Sequence, residues 1–186
     1  MQIGGFLKTL GFSIIISCGV VFSAVASENQ AIEIYLLAEL DDERGYCLDI
    51  RGYKERARID RGLQAHTCYS YQGQVAVDQG FVEADLARGE FFIPEFDVCM
   101  SSEGRNGSTV GLAKCDGQEK QLFKWAKNGE IHPAKSDELC LMVGSGKPRQ
   151  GRGGRTRHLM RDLKFDRCLP ELADYQRWGM RSGSHP

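Results

Sequence analysis

The sequence predicts an all-β domain built from three similar, disulfide-tied units. Three observations support this prediction. Six of the seven cysteines form three pairs along the chain, and each pair is followed by a glutamine. Sustained helical periodicity is scarce after Ser27. Short apolar runs instead alternate with Gly, Asp, Asn and Ser, a pattern typical of short strands and turns.

The repeated unit contains a first cysteine, a Gly-containing loop, a second cysteine and then a glutamine. The pairs are Cys47–Cys68, Cys99–Cys115 and Cys140–Cys168, and the glutamines assigned to them are Gln74, Gln121 and Gln176. An aromatic residue stands two positions after the last two glutamines, as Phe123 and Trp178. In the first unit Ala76 occupies that position, so this unit is expected to be the least regular.

The repeat also predicts the disulfides, because the two cysteines of each unit should meet within that unit. Zinc is the competing use of cysteine, but it usually requires close Cys-x-x-Cys pairs, which this sequence lacks. Each bridge closes a loop and is expected to contribute about 3 kcal/mol of stability. Three units of this length fit a small closed array or a solenoid, and closure is favoured because it removes exposed sheet edges.

The first 26 residues are predicted to be a signal peptide, leaving a single domain over residues 27–186. Lys8 precedes a long apolar run, and Ala24-Val25-Ala26 offers small residues for cleavage. An uncleaved membrane anchor and lipoprotein processing at Cys18 are the alternatives. Paired cysteines persist in oxidising compartments, so the expected location is secreted or periplasmic.

Charge is nearly balanced overall, with 24 Lys and Arg against 25 Asp and Glu, and therefore does not indicate a nucleic-acid-binding protein. Its distribution is uneven. The segment 28–43 holds six acidic residues and no basic one, whereas 147–167 holds eight Lys and Arg.

In this order the motifs resemble the ricin-type (Gln-x-Trp) β-trefoil lectins, over residues 34 to about 180. The matching pieces are Cys47-Leu48-Asp49-Ile50, Gln121-Leu122-Phe123, Asn128-Gly129-Glu130-Ile131 and Gln176-Arg177-Trp178. The resemblance implies a β-trefoil with units at about 34–93, 94–134 and 135–180. It also implies that the glutamine and its aromatic are structural, with the glutamine pairing buried backbone groups.

A sugar site is implied by the same resemblance. In the family an Asp two residues after the first cysteine accepts hydrogen bonds from sugar hydroxyls, and an aromatic two residues before the second cysteine supports the ring. The amides are the Gln of Gln-x-Trp and the residue before it. In the first unit these positions are Asp49, His66 and Gln74, with Tyr69 or Tyr71 as alternative platforms.

The other two units lack this set. The second offers Ser101, Ala113, Lys120 and Gln121, and the third offers Met142, Asp166, Tyr175 and Gln176. Only the first unit is therefore predicted to bind sugar. Two plainer interpretations remain open there: Asp49 as a turn residue that holds nearby backbone, and His66 as an exposed strand histidine.

The basic, Gly-rich segment of the third unit is a second candidate site, for anions. Arg149, Arg152, Arg155 and Arg157 fall within it, and guanidinium groups bind sulfate, phosphate and carboxylate. Sulfated or sialylated glycans or anionic lipids would suit such a site. The alternative is a solvated insertion whose charge offsets the acidic N-terminal segment.

No catalytic motif is present, so we predict no enzymatic activity, no cofactor and no metal site. The predicted function is recognition of glycans by an exported lectin-like protein. Two alternatives are the cell-binding subunit of a multi-subunit toxin, as in the A and C subunits of cytolethal distending toxins, and a β-trefoil enzyme inhibitor. The toxin alternative implies a partner polypeptide that carries the catalytic activity.

Overall fold

The computed structural model describes residues 1–2, 31–151 and 157–182. Almost all of the predicted signal sequence therefore lies outside the described residues, as do Arg152 and Arg155. Within residues 31–151 and 157–182, no helix has the length and apolar composition needed to cross a lipid bilayer.

The predicted all-β character is confirmed. The strands are β1 (Ala31–Leu36), β2 (Tyr46–Ile50), β3 (Leu63–Thr67), β4 (Phe81–Val82), β5 (Phe92–Ile93), β6 (Val98–Ser101), β7 (Gly111–Ala113), β8 (Phe123–Trp125), β9 (Ile131–Pro133), β10 (Leu139–Val143), β11 (Arg149–Gln150), β12 (Leu159–Arg161), β13 (Leu163–Arg167) and β14 (Trp178–Ser182). Within the described residues the two α-helices are single turns, α1 (Glu83–Leu86) and α2 (Ala173–Gln176). The 3₁₀ turns include Lys54–Arg56, Ile59–Arg61, Ser70–Gln72, Pro94–Phe96, Glu119–Gln121 and Pro170–Leu172.

Strand pairing is antiparallel throughout the described residues, but it does not form the closed array that the sequence favours. The strands form a seven-stranded sheet, in the order β11-β12-β3-β2-β1-β14 with β4 beside β1, and the separate sheets β5-β6-β7, β8-β9 and β10-β13. Single bridges, such as Thr109↔Lys164 and Glu130↔Arg177, add isolated pairings to these ladders. Backbone hydrogen bonds outside the ladders, such as that from the Leu63 N–H to the Val110 carbonyl at 3.0 Å, also join the sheets.

A buried aromatic cluster occupies the space between the sheets. The Phe91 ring lies 6.3 Å from Phe81, 5.6 Å from Phe123 and 6.0 Å from Trp125, measured between ring centroids. Phe123 in turn stacks on Phe165 at 5.6 Å. Such ring pairs add to the stabilisation that comes from burying the apolar surface itself.

The three predicted disulfides are all present. They join Cys47 to Cys68, Cys99 to Cys115 and Cys140 to Cys168, across sequence separations of 21, 16 and 28 residues. Each one ties together neighbouring positions of a two-stranded hairpin or its end. For example, Cys47 lies opposite His66, two residues before Cys68.

Three glutamines make the same pair of hydrogen bonds beside these disulfides, and they are Gln79, Gln121 and Gln176. Each side-chain oxygen accepts from the backbone N–H that follows the second cysteine, at Tyr69, Asp116 and Leu169. Each side-chain amide donates to the backbone carbonyl of the residue before the second cysteine, at Thr67, Lys114 and Arg167. The aromatic residues two positions later, Phe81, Phe123 and Trp178, are all buried.

The assignment of Gln74 and Ala76 to the first unit is therefore wrong. Gln74 is exposed, and Gln79 makes the structural hydrogen bonds. The first unit has the same motif as the others, Gln79-Gly80-Phe81, five residues further along the chain. It is not irregular at the aromatic position.

Two glycines permit close contact between backbone segments next to these aromatics. Gly89 has a φ of 80°, and a Cβ atom there would lie 2.5 Å from the Phe123 carbonyl oxygen. Gly129 has a φ of 91°, and its Cβ would lie 2.9 Å from the Trp178 carbonyl oxygen. Both the left-handed backbone and the missing side chain are required at these positions.

The basic segment of the third unit packs against the first unit. Strand β12 pairs with β3, placing Met160 opposite His66 and Arg161 opposite Ala65. Arg161 is 8% exposed and donates to the Asp41 carboxylate at 2.9 Å. The segment is thus part of the sheet that carries the candidate site of the first unit.

Candidate functional site

The candidate site of the first unit is a polar cluster on neighbouring strands, and it includes two of the three residues predicted from the sequence. Asp49 lies on β2 and His66 on β3, whereas Gln74 is exposed outside the cluster. We name the group the first-unit cluster; it consists of Asp49, Gln64, His66, Asp78 and Gln79. The members are between 0% and 6% exposed.

Asp49 is the centre of the first-unit cluster because both of its carboxylate oxygens accept side-chain hydrogen bonds. Gln64 lies directly opposite on β3 and donates to Oδ1 at 2.8 Å. The side-chain amide nitrogen of Gln79 donates both to Asp49 Oδ2, at 3.0 Å, and to the Thr67 carbonyl. Asp49 is not a turn residue holding backbone, which was the alternative interpretation.

Asp78 lies in the position before the Gln of the motif, which in the family contributes an amide. Its Oδ2 accepts a hydrogen bond from the backbone N–H of Lys54 at 2.5 Å. Its Oδ1 is buried and has no hydrogen-bond partner among the described residues. A buried carboxylate oxygen without a partner is costly, so a polar ligand or water is expected to satisfy it.

Burial and mutual repulsion act on the two carboxyl groups in the same direction. Burial raises the pKa of Asp49 well above its usual range, and the nearby charge of Asp78 raises it further. Burial also raises the pKa of Asp78, although the Lys54 N–H partly opposes this shift. Folding therefore shifts both carboxyl groups of the first-unit cluster towards the protonated form.

This shift predicts a stability profile that an Asp78→Asn substitution should flatten. Because the folded-state pKa values are raised, the folded state binds more protons, and stability falls as pH rises above the unfolded value of about 4. Asp78→Asn removes one of these groups and the repulsion on Asp49. We expect a smaller loss of unfolding free energy between about pH 4 and pH 7, measured by urea denaturation.

The exposed residue Asp174 provides the matched control, since Asp174→Asn removes a carboxylate that does not belong to the first-unit cluster. Its profile should follow that of the unmodified chain. Parallel pH profiles for Asp78→Asn and the unmodified chain would contradict the assignment of these shifts.

His66 is not an exposed strand histidine but part of a ring cluster. Its ring stacks on Tyr69 at 5.2 Å, and His158 meets both rings edge-on, at 5.1 Å and 5.0 Å. Burial lowers the pKa of His66 to about 4, so the ring is neutral near pH 7. The face predicted to support a sugar is covered by Tyr69 in this structure, and His158 belongs to the third-unit segment.

The corresponding positions in the other two units do not assemble such a cluster. In the second unit, Ser101 and Ala113 are partly buried and Lys120 is exposed. In the third, Met142 is buried and Asp166 forms an ion pair with Lys164 at 2.5 Å. That only the first unit binds sugar stays a prediction.

Two of the four arginines predicted to bind anions lie within the described residues. Arg149 forms an ion pair with Asp162 at 3.0 Å, and the Arg157 carbonyl accepts a hydrogen bond from Arg44 at 2.9 Å. Arg157 also lines an open cleft of about 640 Å³ beside Asp41 and Glu43. Anion binding by this segment stays a prediction.

Two groups of side chains have the spacing of metal ligands, but both include disulfide sulfur. One contains Glu130, His132, Cys140 and Cys168, and the other Glu33, Cys47 and Cys68. All of these cysteines are oxidised, and thiolate is the form of cysteine that binds metals. Neither group therefore offers a complete ligand set as it stands.

Comparison with known proteins decides the family. The family model for the ricin-type β-trefoil lectin domain matches residues 89–182, which is half of the chain. The chain belongs to the ricin-type β-trefoil lectin family. In this lectin the first-unit cluster precedes the matched region. No curated protein matches the sequence.

Solved structures share the fold of this lectin at low sequence identity. The mdaA-1 domain, known from a solution structure, superimposes with a TM-score of 0.56 at 13% identity, covering 82% of this chain and 89% of its own. An earthworm lectin C-terminal domain mutant, crystallised with 6'-sialyllactose, gives a TM-score of 0.52 at 16% identity, covering 82% and 98%. The β-trefoil lectin fold predicted from the sequence is thereby confirmed.

Sequence reasoning missed Gln64, Asp78 and Gln79. The signal for Gln79 and Asp78 is present as Gln79-Gly80-Phe81, a full Gln-x-aromatic motif. Gln64 has no sequence signal of its own. It becomes identifiable only when the register between β2 and β3 places it opposite Asp49.

Proposed function

We propose that this protein is an exported, non-catalytic lectin that binds a neutral sugar at the first-unit cluster. Asp49 and Asp78 would accept hydrogen bonds from sugar hydroxyls, and the amides of Gln64 and Gln79 would orient the Asp49 carboxylate. Family membership supports the class of ligand. The unsatisfied buried Oδ1 of Asp78 is the observation that carries the proposal, because it marks a place where a donor is missing.

The proposal requires the loop between β2 and β3 to move, because the cluster is closed in this structure. The Lys54 N–H occupies Oδ2 of Asp78, where a sugar hydroxyl would otherwise donate. Lys54 has a φ of 45°, in the left-handed region that non-glycine residues seldom adopt. This strain lowers the cost of releasing the loop and so favours opening when a sugar supplies replacement hydrogen bonds.

Three structural units and an exported location are part of the same proposal. The equivalent hydrogen bonds of Gln79, Gln121 and Gln176 support units at about 34–93, 94–134 and 135–180. Three disulfides support an oxidising compartment, and therefore secretion or the periplasm. A signal peptide over residues 1–26 would direct the chain there.

A glycan array followed by titration tests the proposal. The panel should contain neutral galactosides and 6'-sialyllactose, the sugar that the earthworm domain holds. The variant Asp49→Asn keeps the size of the side chain but removes its charge, and one of its two acceptor positions becomes a donor facing a donor amide. We expect affinity for the best neutral glycan to fall by about tenfold or more, since hydrogen bonds to charged groups are worth about 1.5–3 kcal/mol.

Asp174→Asn again serves as the control and should bind as tightly as the unmodified chain. Circular dichroism establishes that both variants are folded. Undiminished binding by Asp49→Asn, or by the double variant Asp49→Asn, His66→Ala, would show that the sugar binds elsewhere.

A further inference from the structure

A cleft of about 700 Å³ lies where the hairpin loops of all three units meet, and none of its lining residues belongs to the first-unit cluster. We name it the three-loop cleft. Its polar lining residues are Arg51, Asp60, Arg61, Thr109, Asp162 and Lys164. The remaining wall is rich in glycine, from Gly62, Gly107, Gly111 and Gly144, which leaves backbone accessible to a ligand.

Backbone hydrogen bonds between the units hold the walls of the three-loop cleft in place. The Leu63 N–H donates to the Val110 carbonyl at 3.0 Å, joining the first unit to the second. The Gly107 N–H donates to the Phe165 carbonyl at 2.8 Å, joining the second to the third. Gly62 has a φ of 67°, and a Cβ atom there would lie 2.5 Å from the Val110 carbonyl oxygen. The cleft is therefore formed before any ligand arrives, which reduces the entropic cost of binding.

The acidic residues of the three-loop cleft are already neutralised by arginines. Asp162 Oδ1 accepts from Arg51 at 2.8 Å and from Arg149 at 3.0 Å. Asp60 accepts two hydrogen bonds from Arg58, each of 2.9 Å. The hydrogen bond from Arg51 holds the pKa of Asp162 below its usual range, and that from Arg58 does the same for Asp60. Both acids thus stay ionised and paired.

Positive charge consequently remains in the three-loop cleft. Among the described residues, no carboxylate forms an ion pair with Arg61. Lys164 pairs with Asp166 but stays partly exposed. Together with Arg51, these side chains surround the cleft with guanidinium and ammonium groups from the first and third units. A guanidinium that forms no ion pair within the described residues is suited to bidentate binding of sulfate or carboxylate.

We infer that the three-loop cleft is a second ligand site, which binds an acidic oligosaccharide through Arg61 and Lys164. The sulfate or carboxylate group pairs with Arg61, Lys164 supplies the second positive charge, and the Thr109 hydroxyl is placed to contact a ring hydroxyl. The volume of the cleft accommodates a short oligosaccharide. None of the contacts that support this site belongs to the first-unit cluster, and the site does not rest on the proposed neutral-sugar site.

Two matched double variants test this inference. Arg61→Gln, Lys164→Gln removes two charges from the cleft. Arg56→Gln, Lys127→Gln removes two exposed charges of the same types that do not line it. Affinity is measured by calorimetry for two probes, a heparin hexasaccharide and an unsulfated oligogalacturonate. We expect the cleft variant to lose about tenfold or more in affinity for the probe that binds, and the control to lose less than about threefold.

The two probes distinguish the sources of the anionic group, since one carries sulfate and the other only carboxylate. Binding of either probe that depends on the cleft pair supports the inference and identifies the group. Equal losses in both double variants would indicate general attraction between charges and overturn it. Absence of binding of both probes to the unmodified chain would also overturn it.

Failure of the proposed neutral-sugar site is distinguishable from failure of this site. Asp49→Asn should leave affinity for the acidic probe unchanged, and the cleft variant should leave neutral-glycan binding unchanged. Loss of acidic-probe binding in Asp49→Asn would show that the two sites are one, which contradicts the inference.

Discussion

Substituting Gln79 by Ala is expected to lower the free energy of unfolding by about 3 kcal/mol, whereas Gln74→Ala should change it by less than about 0.5 kcal/mol. Gln79 satisfies the buried Tyr69 N–H and the Thr67 carbonyl, and it also donates to Asp49. With alanine at position 79, the Tyr69 N–H, the Thr67 carbonyl and the Asp49 carboxylate each lose a hydrogen-bond partner in a region closed to solvent. Gln74 is exposed, so its side chain is replaced by water contacts at little cost.

Urea denaturation followed by tryptophan fluorescence measures both variants under the same conditions. Gln121→Ala is a positive control, because Gln121 makes the equivalent pair of bonds in the second unit. Similarly small losses of unfolding free energy for Gln79→Ala and Gln74→Ala would show that the first unit is not stabilised by its glutamine as the other two units are.

Replacing Trp178 by Ala should cost about 4 kcal/mol, and replacing it by Phe about 1–2 kcal/mol. Trp178 is 1% exposed, and its indole N–H donates to the Leu141 carbonyl at 3.0 Å. Alanine loses the packing and leaves a cavity. Phenylalanine occupies the same position in the other two units, as Phe81 and Phe123, so its main cost is the unpaired Leu141 carbonyl.

Thermal unfolding of the two variants provides the measurement, with the surface substitution Lys127→Ala as a control. A loss for Trp178→Phe as large as that for Trp178→Ala would contradict this division between packing and hydrogen bonding. It would indicate that the indole N–H contributes most of the stabilisation.

Cysteine spacing and strand pattern were enough to predict the disulfides and the strand class of the domain. The cysteine pairs predict the disulfides because both cysteines of a unit lie within one hairpin or at its end. Cysteines that are neighbours along the sequence are therefore also neighbours in space. The ladder between strands is less predictable, because the seven-stranded sheet depends on contacts between distant segments.

The interval between the second cysteine and the glutamine points to Gln74 in the first unit, but the hydrogen bonds to Tyr69 and Thr67 are made by Gln79. Gln74 follows Cys68 by six residues, the same interval that separates Gln121 from Cys115. The first unit contains extra residues in this connection, including the 3₁₀ turn Ser70–Gln72, and these displace the motif to Gln79. The aromatic at Phe81 is the more reliable marker, since burial in the core requires a large apolar side chain.

The accessibility of the candidate sugar site could not be predicted from the first unit alone. The ring of His158 and strand β12 reach His66 from a segment more than 90 residues further along the chain. That segment is Gly-rich and basic, and its composition suggests a solvated loop rather than a sheet strand. Only its register with β3 reveals that it covers the first unit.

The pairing of β1 with β14 and of β3 with β12 has a consequence for folding. Residues Ala31–Thr67 contribute the strands β1, β2 and β3, but the strands that complete their edges come from Leu159–Ser182. A ribosome or translocation pore releases those segments after the N-terminal strands, so an incomplete chain presents unpaired strand edges, which readily pair with other chains. Such long-range pairing also slows folding. We expect chains truncated before Leu159 to aggregate, and the rate-limiting step of refolding to be the docking of the C-terminal strands onto the N-terminal sheet.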